Sequence, residues 1–193
     1  MANLERWQIL WNRPVTLFNK TYRIESNRRL SWDYSLPGWY FVTVCTRHKN
    51  CHLGRVLNGH FLHSDAGRIA EASLTTLASH YSKVLLDTWV VMPNHVHIIW
   101  VLEPDSTCIM RESICTPAFA ESNNRRPSLG EIVGSYKSEV SRHCHAAGLT
   151  NFGWQSRFYD HILRGPNTVA AVREYIRNNP LNWAQDSEYR IAA

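Results

Sequence analysis

The sequence is poor in the features that build disulfide frames, cysteine metal sites and membrane spans. Its five cysteines are odd in number and include no Cys-x-x-Cys pair, which argues for reduced thiols in a cytoplasm. No run of eighteen apolar residues occurs, and the short patch from Trp7 to Trp11 is interrupted by Gln8. We therefore expect a cytoplasmic protein without a membrane span or a signal peptide.

Charged residues are also scarce, at 19% of the 193 residues, whereas 44% are hydrophobic. A chain of this size and composition can bury a real core, so we expect one domain with appendages. The net charge is +5 with histidine counted as neutral. This small surplus favours a polyanionic partner only weakly.

A histidine pair lies where the chain turns into a strongly apolar stretch. Pro93-Asn94 is typical of a turn, and residues 95 to 102 are otherwise β-branched, aromatic and apolar, which predicts a strand. Side chains alternate along a strand, so His95 and His97 project from one face and can hold a metal ion together. Taken alone, the pair is better explained by two hydrogen-bonded histidines on a half-buried strand.

Turn signals and hydrophobic periodicity predict four strands and three helices. The predicted strands are 39–46, 84–92, 95–102 and, with its lead-in loop, 153–164. The predicted helices start at Ser64 or Asp65, at a capping box of Ser128 and Glu131, and at Asn167, and they end near Tyr81, Gly148 and Asn179. The order of the first six elements predicts an α+β, ferredoxin-like fold, a four-stranded antiparallel sheet with helices on one face. An N-terminal arm and a C-terminal helix extend it.

The predicted last helix carries a tyrosine and an asparagine on the same side. At about 100° per residue, Tyr175 and Asn179 lie roughly 40° apart on one border of the apolar stripe. If this helix packs against the sheet face that bears the histidines, a phenol and an amide oxygen converge on the metal. Such a metal keeps open positions for a phosphodiester oxygen, and a phenol with a pKa near 10 needs this electropositive centre to act as a nucleophile. A core-edge aromatic and a simple helix terminus are the structural alternatives.

The first 37 residues lack sustained periodicity but interleave arginines with aromatic residues. Arg28 and Arg29 precede Trp32 and Tyr34. Guanidinium groups pair with phosphates while rings stack on bases, so this stretch is a candidate DNA-binding arm. A surface arm packed by its own aromatic residues fits the stretch equally well.

Several short sequence motifs, together with their order along the chain, resemble the REP-associated branch of the HUH-type single-tyrosine transposases. His95-Val96-His97 resembles the histidine-hydrophobic-histidine motif of that family. The other matching words are Arg28-Arg29, Trp32-Asp33-Tyr34-Ser35, Tyr40-Phe41-Val42-Thr43, Met92-Pro93-Asn94, Trp154-Gln155, Asp160-His161-Ile162 and Tyr175-Ile176-Arg177-Asn178-Asn179-Pro180. Each word is weakly specific, but together they span residues 22 to 183 and are highly specific.

The resemblance implies a metal-dependent endonuclease and strand-transferase that acts on single-stranded DNA at REP-like hairpins. It implies a divalent ion, Mg²⁺ or Mn²⁺, and a 5′-phosphotyrosine intermediate with a free 3′-hydroxyl. Carried over to this chain, Tyr175 is the nucleophile, and His95 and His97 are metal ligands. Asn179 takes the third-ligand position, where many relatives have glutamine. Arg28-Arg29 becomes the reader of the hairpin foot.

The resemblance also implies a domain organisation. Residues 1–37 are expected to form the arm, 38–183 the transposase domain with a surface insertion at 103–127, and 184–193 a tail. We include two further arginines, Arg157 and Arg164, among the DNA-binding candidates. The implied protein is bacterial, associated with the nucleoid when bound to DNA, and either a monomer or a homodimer.

Other functions compete with this interpretation. A catalytically silent regulator that binds hairpin nucleic acids on the same fold is the main alternative, and intact Tyr175, His95 and His97 favour the enzyme. A zinc hydrolase is not favoured, because the chain contains no His-Glu-x-x-His motif and the histidine pair is followed by Ile98-Ile99. Within the enzyme hypothesis, the rival nucleophiles are Tyr81, Tyr136 and Tyr159.

Overall fold

The computed structural model describes residues 32–104, 126–186 and 188, together with the backbone of 17–18 and 22–23. The chain divides into two compact units, residues 1–32 and 33–193. In the first unit, strands β1 (Leu17–Phe18) and β2 (Tyr22–Arg23) form an antiparallel pair. The second unit contains the predicted sheet and helices.

The elements of the second unit follow the predicted order, with one hairpin added. In chain order they are β3 (Gly38–Cys45), β4 (Gly54–Leu57), β5 (His60–His63), α1 (Asp65–His80), β6 (Val84–Met92), β7 (His95–Leu102), α2 (Leu129–Ala146), β8 (Tyr159–Leu163) and α3 (Pro166–Asn178). Single 3-10 turns follow β3 and α3, at Arg47–Lys49 and Trp183–Gln185. Among the described residues no helix is both long and apolar enough to cross a bilayer.

Four of the strands form one antiparallel sheet in the order β6-β7-β3-β8. The two central strands are therefore the first and the third of the four along the chain, which is the ferredoxin-like arrangement. The predicted α+β fold is confirmed. β7 is paired on both edges, by β6 and β3, and helices pack on the faces of the sheet, so the strand is almost entirely buried.

The two faces of the sheet bury different sets of side chains. On one face Tyr40, Val42, Ile98 and Trp100 are fully buried, and α1 and α2 pack together there, with the Tyr136 hydroxyl donating to the carbonyl of Ala70 at 3.1 Å. On the other face α3 lies against β6 and β7. The C-terminal helix thus covers the face that bears the histidine pair.

The helices begin at the predicted caps, except for α3. Ser64 caps α1 by accepting from the Gly67 amide, and the predicted capping box of Ser128 and Glu131 is present at α2. The predicted cap of α3 at Asn167 is wrong. Gly165 is the N-cap and Pro166 opens the helix, because a proline at the first helical position needs no partner for an amide hydrogen and already has helical φ.

The β4–β5 hairpin was not predicted, although its turn signal is present. Asn58 and Gly59 both have positive φ, 51° and 75°, as a two-residue hairpin turn of the primed type requires. The strands are only four residues long, and their alternating half-buried pattern is weak. The hairpin therefore lacked the apolar periodicity on which the other strands were recognised.

Candidate metal centre and nucleophile

His95 and His97 project from the same face of β7, as their spacing predicts. The register pairs them with Cys45 and Thr43 of β3, so they lie over the middle of the sheet. Their ring centroids are 4.4 Å apart, and both residues are buried, with exposures of 0% and 4%. Nδ1 of His97 lies 2.8 Å from the Thr43 hydroxyl. Nδ1 of His97 is thus held by the sheet, and Nε2 of His97 remains for other contacts.

Helix α3 brings Tyr175 and Asn179 to this pair. The Tyr175 hydroxyl lies 3.2 Å from Nε2 of His97, and its ring meets Phe41 edge to face at 6.1 Å between centroids. Asn179 is the C-cap of the helix and is 2% exposed. Its position four residues after Tyr175 places both side chains on one side of the helix. The phenol and the amide therefore converge on the histidines.

Asp186 joins this group from the segment after α3. Its Oδ2 accepts hydrogen bonds from the Tyr175 hydroxyl at 3.2 Å and from Nδ2 of Asn179 at 2.7 Å. Ligand atoms of Asp186, His95 and His97 all lie within 4.8 Å of one another, a separation at which one metal ion can bind them all. Imidazole nitrogen and carboxylate oxygen together suit a divalent transition metal.

Two buried acceptors at the centre of the group fit such an ion. Nε2 of His95 and Oδ1 of Asn179 have no hydrogen-bond partner among the described residues, although water cannot reach either atom. A buried polar atom without a partner costs stability, and a bound ion or an ordered water is one explanation for such an atom in a native protein. Both atoms carry lone pairs, which are what a divalent cation binds.

The electrostatic environment keeps the imidazoles neutral. Burial lowers the pKa of His95 well below its ordinary value, and the neighbouring His97 and Lys49 lower it further. Burial also lowers the pKa of His97 to about 4, against an opposing effect of Asp186. Neutral rings keep a lone pair on one nitrogen, which is the form that binds metals. Burial, and next the Asp186 carboxylate, raise the pKa of Tyr175, so its phenol stays protonated.

The three rival tyrosines do not reach the histidines in this way. Tyr136 is fully buried between the helices, where it donates to the Ala70 carbonyl. Tyr81 contacts Ser135 at 3.1 Å at the far end of α1. Tyr159 shares the sheet face of Thr43, its partner on β3, but it lies two strands from β7, a separation of about 10 Å.

The candidate DNA-binding residues are spread over the chain. Arg28 and Arg29 lie outside the described residues. Trp32 is half-buried, whereas Tyr34 is 9% exposed and packs its ring 6.0 Å from that of Tyr40. A packed ring of this kind is not presented to a base in this structure. Two exposed arginines, Arg157 and Arg164, flank β8.

Two acidic residues near the site were not predicted. Asp186 and Glu188 fall in the segment from 184 to 193 that was expected to be a tail. Glu188 forms an ion pair with Lys49 at 2.6 Å, and its amide donates to Asp186. Their only sequence signal is a pair of carboxylates soon after the tyrosine helix, and this signal is weak because exposed acidic pairs are common.

Comparisons with known proteins identify sequence relatives of the chain. No model of a protein family matches the chain. An uncharacterized protein of Haemophilus influenzae is 28% identical over 166 residues, which cover 85% of this chain and 92% of that protein. The REP-associated tyrosine transposase of Escherichia coli K12 is 28% identical over 97 residues, which cover 50% of this chain and 44% of that protein. The match thus spans less than half of the transposase.

A solved structure resembles the fold. It is a REP-associated tyrosine transposase bound to a REP hairpin, with a TM-score of 0.55 and 20% identity, and the match covers 84% of this chain and 76% of that one. The chain resembles the REP-associated tyrosine transposases. The resemblance predicted from the sequence words is confirmed. Shared fold alone does not carry over the activity of these transposases, so the function is argued below from the residues of this chain.

Proposed function

We propose that the protein is a metal-dependent tyrosine transposase that nicks and rejoins single-stranded DNA at REP-like hairpins. The observation that carries this proposal is the 3.2 Å approach of the Tyr175 hydroxyl to Nε2 of His97, together with two buried acceptors that have no hydrogen-bond partner in the described part of the chain. Two proteins that this chain is similar to are themselves named REP-associated tyrosine transposases. Binding of a REP hairpin by the structural neighbour supports a hairpin as the substrate.

The ion-binding residues in this proposal are His95, His97 and Asn179, with Asp186 beside them. When bound, a Mg²⁺ or Mn²⁺ ion supplies an electropositive centre that polarises the phosphodiester and stabilises its developing charge. The oxygen donors Asn179 and Asp186 suit these hard ions, and the imidazoles favour Mn²⁺ over Mg²⁺.

The chemical step is a transesterification at phosphorus. The Tyr175 oxygen forms a new bond to phosphorus, and the bond from phosphorus to the 3′-oxygen breaks. The products are a 5′-phosphotyrosine and a free 3′-hydroxyl that has gained one proton, while the phenol has lost one. Attack by a second 3′-hydroxyl reverses the step and rejoins the strand. Asp186 accepts the hydrogen bond of the phenol and so fixes the direction in which its proton points.

The remaining parts of the chain are proposed to recognise DNA. Residues 1–37 form the arm in this proposal, residues 38–183 the transposase domain, and 103–127 a surface insertion. Arg28, Arg29 and Trp32 belong to the arm, and Arg157 and Arg164 offer exposed guanidinium groups beside β8. These groups would neutralise phosphates of the substrate. Tyr34 can contact DNA only if its ring moves away from the ring of Tyr40, against which it packs.

A single substitution tests the nucleophile. Tyr175→Phe removes one hydroxyl and keeps the ring against Phe41, so we expect hairpin binding to survive and the covalent adduct to disappear. The measurement is incubation with an end-labelled hairpin and Mn²⁺, followed by mass spectrometry of the adduct peptide. Tyr159→Phe is the matched control and should leave the adduct in place.

Two outcomes would contradict the assignment. An adduct on Tyr159, Tyr136 or Tyr81 would move the nucleophile elsewhere. Tight hairpin binding without any cleavage or adduct in the wild type would favour a catalytically silent hairpin-binding regulator on the same fold.

A further inference from the structure

Asn94 occupies the turn between β6 and β7, directly before His95, and it is completely buried. Its amide nitrogen Nδ2 donates two hydrogen bonds, to the carbonyl oxygens of Lys49 at 3.1 Å and Glu188 at 2.8 Å. Its Oδ1 lies 2.9 Å from Nδ1 of His95. Three segments that are distant in sequence therefore meet at one side chain.

These contacts allow only one orientation of the amide. Backbone carbonyl oxygens accept hydrogen bonds and never donate them, so the atom that faces both carbonyls must be the NH₂ group. The reversed orientation would place three oxygens together in a site without water, at a high electrostatic cost. Oδ1 is therefore the atom that faces His95.

The orientation of Asn94 determines the protonation of its neighbour. An amide oxygen only accepts, so Nδ1 of His95 must carry a hydrogen to make the 2.9 Å contact. In a neutral imidazole the other nitrogen then has none. We propose that Asn94 is the positioning residue that locks His95 in the Nδ1-H tautomer and leaves the lone pair of Nε2 facing the site.

This lock explains the buried acceptor without a partner. Nε2 of His95 would be a donor in the other tautomer, and a donor at that position would repel a cation. With the tautomer fixed, Nε2 keeps a lone pair that no group of the described residues satisfies, and that lone pair is available to a metal. This second step rests on the proposed metal-dependent function, whereas the tautomer itself does not.

The backbone around Asn94 is built to hold it. The Asn94 carbonyl accepts from the Thr46 amide at 2.8 Å and from the Thr46 hydroxyl at 3.0 Å. The Lys49 carbonyl is presented by a turn in which His48 and Lys49 both have positive φ, 58° and 57°, a conformation that non-glycine residues rarely adopt. A turn of this kind costs conformational free energy, and here it places the Lys49 carbonyl against the Asn94 amide.

The first test uses the unmodified protein without metal. Nitrogen-15 chemical shifts of the histidine rings, measured at neutral pH in EDTA, distinguish a protonated from an unprotonated ring nitrogen. We expect His95 to show a protonated Nδ1 and an unprotonated Nε2, with one tautomer only. A protonated Nε2, or a mixture of the two tautomers, would overturn the proposal whatever any variant does.

The second test compares Asn94 with Thr46, a buried residue after β3 whose hydroxyl lies 3.0 Å from the Asn94 carbonyl oxygen. Asn94→Ala removes the acceptor, so His95 should become a mixture of tautomers and Mn²⁺ affinity, measured by calorimetry, should fall about 10–100-fold, as for other partners of metal-bound histidines. Thr46→Val is the control for lost stability, because it removes a buried hydroxyl that can donate its one hydrogen to the carbonyl of Asn50 or Asn94 but keeps the Asn94 side chain and the backbone hydrogen bond of the Thr46 amide. It should keep the wild-type tautomer and affinity.

The outcomes separate this inference from the proposed function. If Asn94→Ala keeps a single Nδ1-H tautomer, or if Thr46→Val disturbs the tautomer equally, Asn94 does not set it. If wild-type His95 has the expected tautomer but Mn²⁺ does not bind, the positioning role stands and the proposed metal dependence fails. Loss of Mn²⁺ binding in His97→Ala together with wild-type binding in Asn94→Ala would retain the metal site and reject the role of Asn94 in it.

Discussion

His95 and His97 have hydrogen-bond partners of different kinds, so only one of the two rings can change tautomer. The amide oxygen of Asn94 can only accept, so His95 is fixed in one state. The Thr43 hydroxyl can donate or accept, so His97 can change tautomer while keeping its 2.8 Å contact. His97 is also the histidine that meets the Tyr175 hydroxyl. The ring closest to the proposed nucleophile is thus the one that can adapt during a reaction.

Substituting the site residues one at a time should reduce metal-dependent cleavage to different degrees. His95→Ala and His97→Ala should each abolish metal-dependent cleavage, because each change removes one of the two imidazole nitrogens that hold the ion against the sheet. Asn179→Ala should have a weaker effect, since its short side chain contributes a neutral oxygen and Asp186 remains nearby. Cleavage of a labelled hairpin over a Mn²⁺ titration measures all three.

A histidine outside the site provides the control. His60 lies exposed on β5, so His60→Ala should cleave as the wild type does. Undiminished cleavage by the wild type in EDTA would reject the metal requirement.

Some of the site follows from local spacing, and the rest requires the fold. The shared face of the histidine pair and the shared border of Tyr175 and Asn179 are properties of a strand and a helix, so the sequence predicts both. Asp186 reaches the site only because the chain reverses after α3, and no local periodicity encodes that path. The hydrogen bonds of Asn94 depend in the same way on carbonyls 45 and 94 residues away.

At the scale of elements, helix α3 is anchored to the sheet two residues before the tyrosine. Arg173 donates to both carboxylate oxygens of Asp87 on β6, at 2.8 Å and 2.6 Å. Its guanidinium carbon lies 5.1 Å from the ring centroid of Trp39 on β3. These two strands flank β7, so the anchor fixes the helix over the strand that carries the histidines. A planar guanidinium that makes two parallel hydrogen bonds to a carboxylate restrains the rotation of the helix as well as its distance from the sheet.

Breaking this anchor should lower both stability and activity. Arg173→Ala removes two of the donors to the partly buried Asp87 carboxylate and leaves the Thr88 hydroxyl, which should cost about 1–3 kcal/mol in urea unfolding at neutral pH. Adduct formation should slow as well, because Tyr175 is held less firmly. Arg177→Ala, an exposed arginine one turn further along α3, is the matched control and should change both quantities much less.

The pH dependence of that loss provides a second check. Hydrogen bonds from Arg173 hold the pKa of Asp87 below its ordinary value of 3.8. A lowered pKa in the folded state gives stability that is present above the ordinary value and is lost as pH falls through the lower, folded value. The stability difference between wild type and Arg173→Ala should therefore be constant near neutrality and shrink below about pH 4. A difference that stays constant down to pH 2 would show that the anchor is not ionic.

At the scale of the whole molecule, the proposed recognition and chemistry belong to different parts of the chain. The arm residues Arg28 and Arg29 are far in sequence from Tyr175, and the two compact units divide between Trp32 and Asp33. Substrate affinity and cleavage rate should then respond to different substitutions. Variants of the arm should alter the DNA concentration needed for cleavage, whereas variants of the site should alter the rate at saturating DNA.

The arm can be tested for base reading as distinct from simple attraction to phosphate. Arg28→Ala combined with Arg29→Ala should weaken binding to the cognate hairpin more than to a scrambled hairpin, because a bidentate arginine–guanine contact provides about 1–3 kcal/mol of discrimination. Saturating DNA should restore part of the cleavage rate. Arg55→Ala with Arg142→Ala removes the same charge from two exposed positions of the other unit and serves as the control in competition binding at one fixed salt concentration. If the arm only neutralises phosphates, both hairpins should lose affinity equally, and the salt dependence of binding should become shallower by about 0.7 per lost contact to a single strand. That result would move sequence reading to the insertion 103–127 or to the strand between Arg157 and Arg164.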